Sequence, residues 1–71
     1  MSSKKTEFIV GDLISKIYQQ TFWDDKLPTQ RDLAAAYQVS RFTIQKALKR
    51  LHAIGLIDPV QGDGIYIRRG V

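Results

Sequence analysis

The sequence has no cysteine, which excludes disulfide staples, thiolate zinc sites and cysteine nucleophiles, and agrees with a reducing compartment. Its one histidine, His52, has no partner at metal-ligand spacing, so it reads as a structural residue rather than a metal ligand. No apolar run approaches the roughly 18 residues of a membrane-spanning helix, and MSSKKTE leads into an interrupted apolar pattern rather than the h-region of a secretory signal. Repeats and low-complexity tracts are absent. Length is scarce too. Seventy-one residues make one domain at most, and a domain of that size buries about 60% of its unfolded surface and gathers on the order of 3–5 kcal/mol of stability. There is no room for a separate catalytic cleft. The acidic pair Asp24-Asp25 has no base beside it and reads as a solvated loop ending the first helix. With no nucleophile–base pair, metal cluster or phosphate loop, the expectation is no enzyme, no cofactor and no metal site.

Acid is also missing in one place in particular. The chain has eleven Lys and Arg against seven Asp and Glu, a net charge of +4, and between positions 33 and 57 there is no acid at all, while Arg41, Lys46, Lys49 and Arg50 all fall there. A net positive charge favours a polyanionic partner without naming one.

Apolar periodicity supplies the elements. Ile9 or Val10, Leu13, Ile14, Ile17 and Tyr18 recur at three- and four-residue spacing and predict an amphipathic helix over 8–20, after a polar, frayed 1–6. Phe22 and Trp23 are expected to pack against it from a connector. Pro28 disfavours a helical Leu27, Thr29 can cap a second helix, and Asp32 completes a capping-box-like pair with it. Leu33, Ala34 and Tyr37 give that helix its apolar stripe, and Gln38-Val39 makes a tight connection. Ser40 caps a third helix over 41–53 that turns Ile44, Ala47, Leu48 and Leu51 inward and Phe42, Gln45, Lys46 and Lys49 outward. Gly55 ends it in a left-handed conformation. Two strands, 56–60 and 65–69, flank the turn Gln61-Gly62-Asp63-Gly64, and Pro59 argues that the first strand is at an edge. The fold class is mainly α with a small β-hairpin: a winged helix-turn-helix of three helices plus a two-stranded wing, one domain over 1–71.

A helix with that charge and a polar outer face suits the major groove of DNA. Arg41, early in the helix, can reach guanine O6 and N7 as a fork. Gln45 can pair with adenine, and such pairs discriminate by about 1–3 kcal/mol. Lys46 and Lys49, further along, suit phosphates, which fix register without reading sequence. Phe42 has two readings, contact with a thymine methyl or folding back onto the second helix. At the start of the second helix, backbone amides, Thr29 and Arg31 form an anion site, although Thr29 and Asp32 also serve simple capping. Gly62 and Gly64 allow the close backbone approach that a narrow minor groove demands, or only make the turn; Asp63 at the tip is an objection. Arg68 and Arg69 lie too far down the strand for base contacts.

These residues carry a resemblance. LPTQRDLA, VSRFTIQKAL, the GLI that follows and QGDGIYI occur in the order and spacing of the DNA-binding domain of the GntR family of bacterial transcription regulators, with the HutC-like branch the most similar. The resemblance covers about 40 residues from position 27, and the upstream helix fits as well. It implies a cytoplasmic homodimer on palindromic double-stranded operator DNA, with the recognition helix (about 40–53) in the major groove and the wing (61–64) in the minor groove. Arg31 matches the family's Arg at the start of the second helix, Ser40, Arg41 and Thr43 its VSR-x-T contacts, and Gly62 its wing-tip glycine. Gln30 stands where Glu is usual, Gln45 where Arg is usual, and Phe42 where a smaller residue is common; the departures at Gln45 and Phe42 are expected to change the bases read.

The family also carries a C-terminal domain that binds a small-molecule effector and makes the dimer, so the chain is expected to be a fragment of a longer, metabolite-responsive repressor. The alternative is a winged-helix protein-interaction module with only non-specific affinity for DNA.

Overall fold

The structure, a computed structural model, describes residues 4–19, 25–60, 62 and 64–68. The elements run α1 (Lys4–Tyr18), β1 (Lys26–Leu27), α2 (Gln30–Tyr37), α3 (Arg41–Ala53), β2 (Ile57–Val60) and β3 (Gly64–Ile67). The three helices and the hairpin are those expected, and a short third strand joins the hairpin. Among the described residues no helix is long and apolar enough to cross a membrane.

α3 is the centre of the packing. Ile44, Ala47 and Leu51 are fully buried and Leu48 nearly so, the inward stripe that the helical period requires. α1 lays Ile9, Val10, Leu13 and Ile17 against this stripe, α2 adds Leu33 and Ala34, and Leu27, Ile57, Ile65 and Ile67 close the core from the sheet. The ends are fixed locally. Thr29 Oγ1 accepts from the Asp32 N–H at 3.1 Å, and Ser40 Oγ accepts from the Thr43 N–H at 3.2 Å, each satisfying a donor that a helix start leaves unpaired. At the end of α3 the Gly55 N–H meets the His52 carbonyl and the Leu56 N–H the Leu51 carbonyl, both at 3.0 Å, with Gly55 at φ +81°. That is a Schellman ending, as the glycine predicted. α2 ends in the same way on a residue with a side chain: Gln38 sits at φ 57°, and Val39 donates to Ala34 at 3.0 Å.

The sheet order is β1-β3-β2, all antiparallel. Leu27 pairs with Ile65, and Ile57 with Ile67. Alternation along β3 sends Ile65 and Ile67 into the core and leaves Tyr66 on the other face. Pro59, opposite Ile65, lies in the edge strand β2, where its missing donor is tolerated.

The structure departs from the sequence reading in several places. α1 begins a turn early, so residues 4–6 are helical rather than frayed, and Thr6 is buried beside the end of α3 (it lines a crevice with Arg50 and Ala53). Tyr18, assigned to the apolar stripe, is 73% exposed because α1 ends there. β1 was not foreseen; two residues are too few to show alternation. The strands are shorter than expected, since Leu56 is engaged in the ending of α3. The expectations for Gln20, Phe22, Trp23, Asp24, Gln61, Asp63 and Arg69 lie outside the described residues.

Candidate nucleic-acid interface

An open groove of about 740 Å³ runs between the starts of α2 and α3 and the wing. Leu27 and Ile65 form its floor, Thr29, Arg31 and Arg41 one wall, and Val60, Gly62 and Gly64 the other, with Lys26 also lining it. Among the described residues, three cations and no acid line this groove. The helix-turn-helix causes the meeting: α2 and α3 both start beside the sheet, so their first-turn arginines converge although ten positions separate them in sequence. Gly62, at φ +82°, takes the left-handed backbone that the hairpin turn needs.

Lys26 was not among the residues singled out in the sequence. β1 places it opposite Tyr66, with its ammonium 5.5 Å from the ring centroid. Its stem crosses the sheet at Gly64, where a Cβ would lie 2.5 Å from Lys26 Cε. Gly64 therefore serves as the seat for that lysine as well as part of the hairpin. No local pattern announces this, because the two residues meet only through the strand pairing.

The remaining candidates lie along α3. Ser40 and Thr43 are coupled, their hydroxyls 3.1 Å apart. Gln45 Nε2 donates to Gln30 Oε1 at 3.3 Å, which makes Gln30 a neighbour of the outward face. Phe42 is 67% exposed and does not fold back onto α2; Lys46 Nζ sits 5.0 Å from its ring centroid, a pairing at one helical turn. Lys46, Lys49 and Arg50 line a second crevice of about 330 Å³ with Thr6 and Ala53. Thus Thr29, Arg31, Arg41 and Gly62 are gathered in one groove, while Lys46 lies on the flank toward α1, Lys49 lines both that flank and a recess shared with Gln45, and Gln45 bridges toward α2. Arg50, seen in the acid-free stretch but not chosen, belongs to that flank.

Behind the interface, Tyr37 O–H donates to Asp12 Oδ2 at 2.5 Å, and Lys16 Nζ lies 3.1 Å from the same oxygen. The Tyr37 bond, then Lys16, holds the Asp12 carboxyl below its ordinary value, while burial, then Asp12, pushes the Tyr37 phenol above its own. This cluster fastens α1 to α2 and so holds the two starting helices in place.

Compared with known proteins, the pattern of the bacterial regulatory proteins of the gntR family matches residues 5–67. The chain is 43% identical over 44 residues to the HTH-type transcriptional regulator LutR of Bacillus subtilis (strain 168), covering 62% of this chain and 20% of that protein. It is 37% identical over 46 residues to the arabinose metabolism transcriptional repressor of Geobacillus stearothermophilus, covering 65% and 13%. It thus spans a fifth or less of the length of these curated relatives. Among solved structures, AraR(DBD) in complex with operator ORE1 superposes with a TM-score of 0.86 at 34% identity, covering 93% of this chain and 82% of that one.

Proposed function

The chain belongs to the gntR family of bacterial regulatory proteins, and from that premise we propose that it is the sequence-specific, operator-binding domain of a transcription repressor. The observation that carries the proposal is the groove with Lys26, Arg31 and Arg41 on its lining, in a chain that superposes on an operator-bound DNA-binding domain. α3 enters the major groove, with Arg41 on guanine and Gln45, Phe42 and Thr43 facing neighbouring bases. Thr29, Arg31, Ser40, Lys46 and Lys49 meet phosphates. Gly62 brings the wing backbone to the minor groove.

The rest of the proposal concerns the longer protein. Residues 1–71 form the DNA-binding domain. A further domain binds a small effector, holds a homodimer at the spacing of two half-sites of a palindrome, and releases the operator when the effector changes that spacing. We place the protein nearest the HutC-like branch, on the wing sequence QGDGIYI, and in the bacterial cytoplasm. No step of this mechanism calls for catalysis.

The test is selection of randomised duplexes on the immobilised chain at two salt concentrations, beside Arg41→Ala. The expected result is an enriched half-site that Arg41→Ala loses. Weak, strongly salt-dependent binding without an enriched sequence, unchanged by Arg41→Ala, would leave phosphate attraction alone; the protein-interaction module would then replace the operator reading.

A further inference from the structure

We infer that Phe42 selects thymine at one operator position, by laying its ring against the C5-methyl group that this base alone of the four presents in the major groove. The inference rests on the operator reading and adds to it the base met at that position. The placement follows from the helix. Ile44, Ala47, Leu48 and Leu51 form the buried stripe of α3, and at about 100° per residue Phe42 falls almost diametrically opposite the middle of that stripe. It follows Arg41 in the first turn of α3, the part of a recognition helix that meets base edges. Its ring is 67% exposed, and the ammonium of Lys46, one turn on, lies 5.0 Å from the ring centroid. A large apolar side chain thus projects from the centre of the basic face.

A phenyl ring has no donor and no strong acceptor to offer a base. Laid over guanine N7 and O6, adenine N7 and N6, or the cytosine N4 amino group, it displaces water from groups that it cannot satisfy, and their desolvation goes uncompensated. Thymine presents O4 beside a methyl, and that methyl is the one apolar group on the floor of the groove. Burying it against the ring raises affinity about fourfold. The ring shows the same apolar surface whichever way it turns about its own axis, so selection needs only that Phe42 reach the floor of the groove. Its place at the middle of the outward face provides that reach. Arg41 and Phe42 then divide the reading between them, the one by donating to guanine, the other by excluding water from a neighbouring thymine.

The probe is deoxyuridine, which pairs as thymidine does and lacks only the methyl. Randomised duplexes are first selected on the immobilised 71-residue chain. Each thymine of the enriched half-site is then replaced singly by deoxyuridine, and every duplex is titrated against the wild type and Phe42→Ala at low salt, where phosphate attraction keeps the variant bound. At one position the wild type is expected to bind the deoxyuridine duplex about fourfold more weakly than the thymine duplex. Phe42→Ala should bind the two equally there, while the other thymines respond alike in both proteins. A general loss of fold or of phosphate contacts would weaken every duplex together and leave that ratio as it was. If no thymine shows a difference that depends on Phe42, or if the enriched half-site holds no thymine, the inference is overturned and the operator reading stands. If the wild type enriches no sequence, both fall together.

Discussion

Replacing Tyr37 with phenylalanine isolates the hydrogen bond that fastens α1 to α2. The substitution keeps the ring, and with it the contact to Lys16 Nζ at 5.4 Å from the centroid; only the hydroxyl that donates to Asp12 at 2.5 Å is lost. A hydrogen bond to a charged partner contributes about 1.5–3 kcal/mol when well buried. The Asp12 side chain is 30% exposed, so water replaces part of that bond, and the expected loss is about 1 kcal/mol. In a domain with on the order of 3–5 kcal/mol in total, such a loss moves the urea midpoint clearly while leaving the slope unchanged. The pH dependence makes the test specific. The folded-state carboxyl of Asp12 is lowered from 3.8, so its contribution is present above that value and is lost as pH falls through the folded one. The Tyr37 phenol is raised from 10.0, so its contribution is whole below that value and fades as pH rises toward the folded one. The stability difference between wild type and variant should therefore be flat from about pH 5 to pH 9 and shrink on both sides. Far-ultraviolet circular dichroism in urea, followed across that range and past both of its ends, measures it. A variant as stable as the wild type, or a difference that ignores pH at both ends, refutes the reasoning.

Two further outcomes follow from the packing. Leu51→Ala removes a fully buried side chain and should cost about 2–5 kcal/mol, comparable with the whole stability, so circular dichroism should find much of the variant unfolded without denaturant; a loss below about 1 kcal/mol would mean that α3 is not the centre of the core. Gln38→Gly relieves a left-handed residue at φ 57° and should raise stability by about 0.5–1 kcal/mol, after the larger entropy of the unfolded glycine is deducted, read as a melting temperature a few degrees higher.

α3 was legible in the sequence because one helix carried every kind of local signal together. Ser40 marked its start, Gly55 its end, and the period sorted Ile44, Ala47, Leu48 and Leu51 from the basic face. Arg31 and Arg41 were legible as single residues near helix starts, but their convergence on Gly62 comes from the packing of α2, α3 and the wing. What escaped depends on partners far apart in sequence. β1 exists because β3 offers it an edge, and Lys26 enters the groove only through that pairing. The first turn of α1 looked like a polar tail because its one buried residue, Thr6, is polar. Phe42 was open between two readings because periodicity fixes the face of a residue and not its neighbour; Lys46, one turn later, is the neighbour.

The same helix supports the core and faces outward, and this division has a consequence for how specificity can change. Ile44, Ala47 and Leu51 are wholly buried, so the backbone that presents Arg41, Phe42, Gln45 and Lys49 is held from behind by residues that never meet solvent. The outward side chains are exposed, and replacing such residues ordinarily changes stability by less than about 0.5 kcal/mol. Arg41→Ala should therefore melt with the wild type even where it no longer selects a sequence. On the proposed reading, substitutions on this face alter the bases read without disturbing the fold, so departures such as Gln45 and Phe42 sit on an otherwise familiar frame. The wing lacks that independence: Gly62 at φ +82° and Gly64 at φ +153° are committed to backbone shape. Change in the operator should therefore follow change on α3 sooner than change in the hairpin.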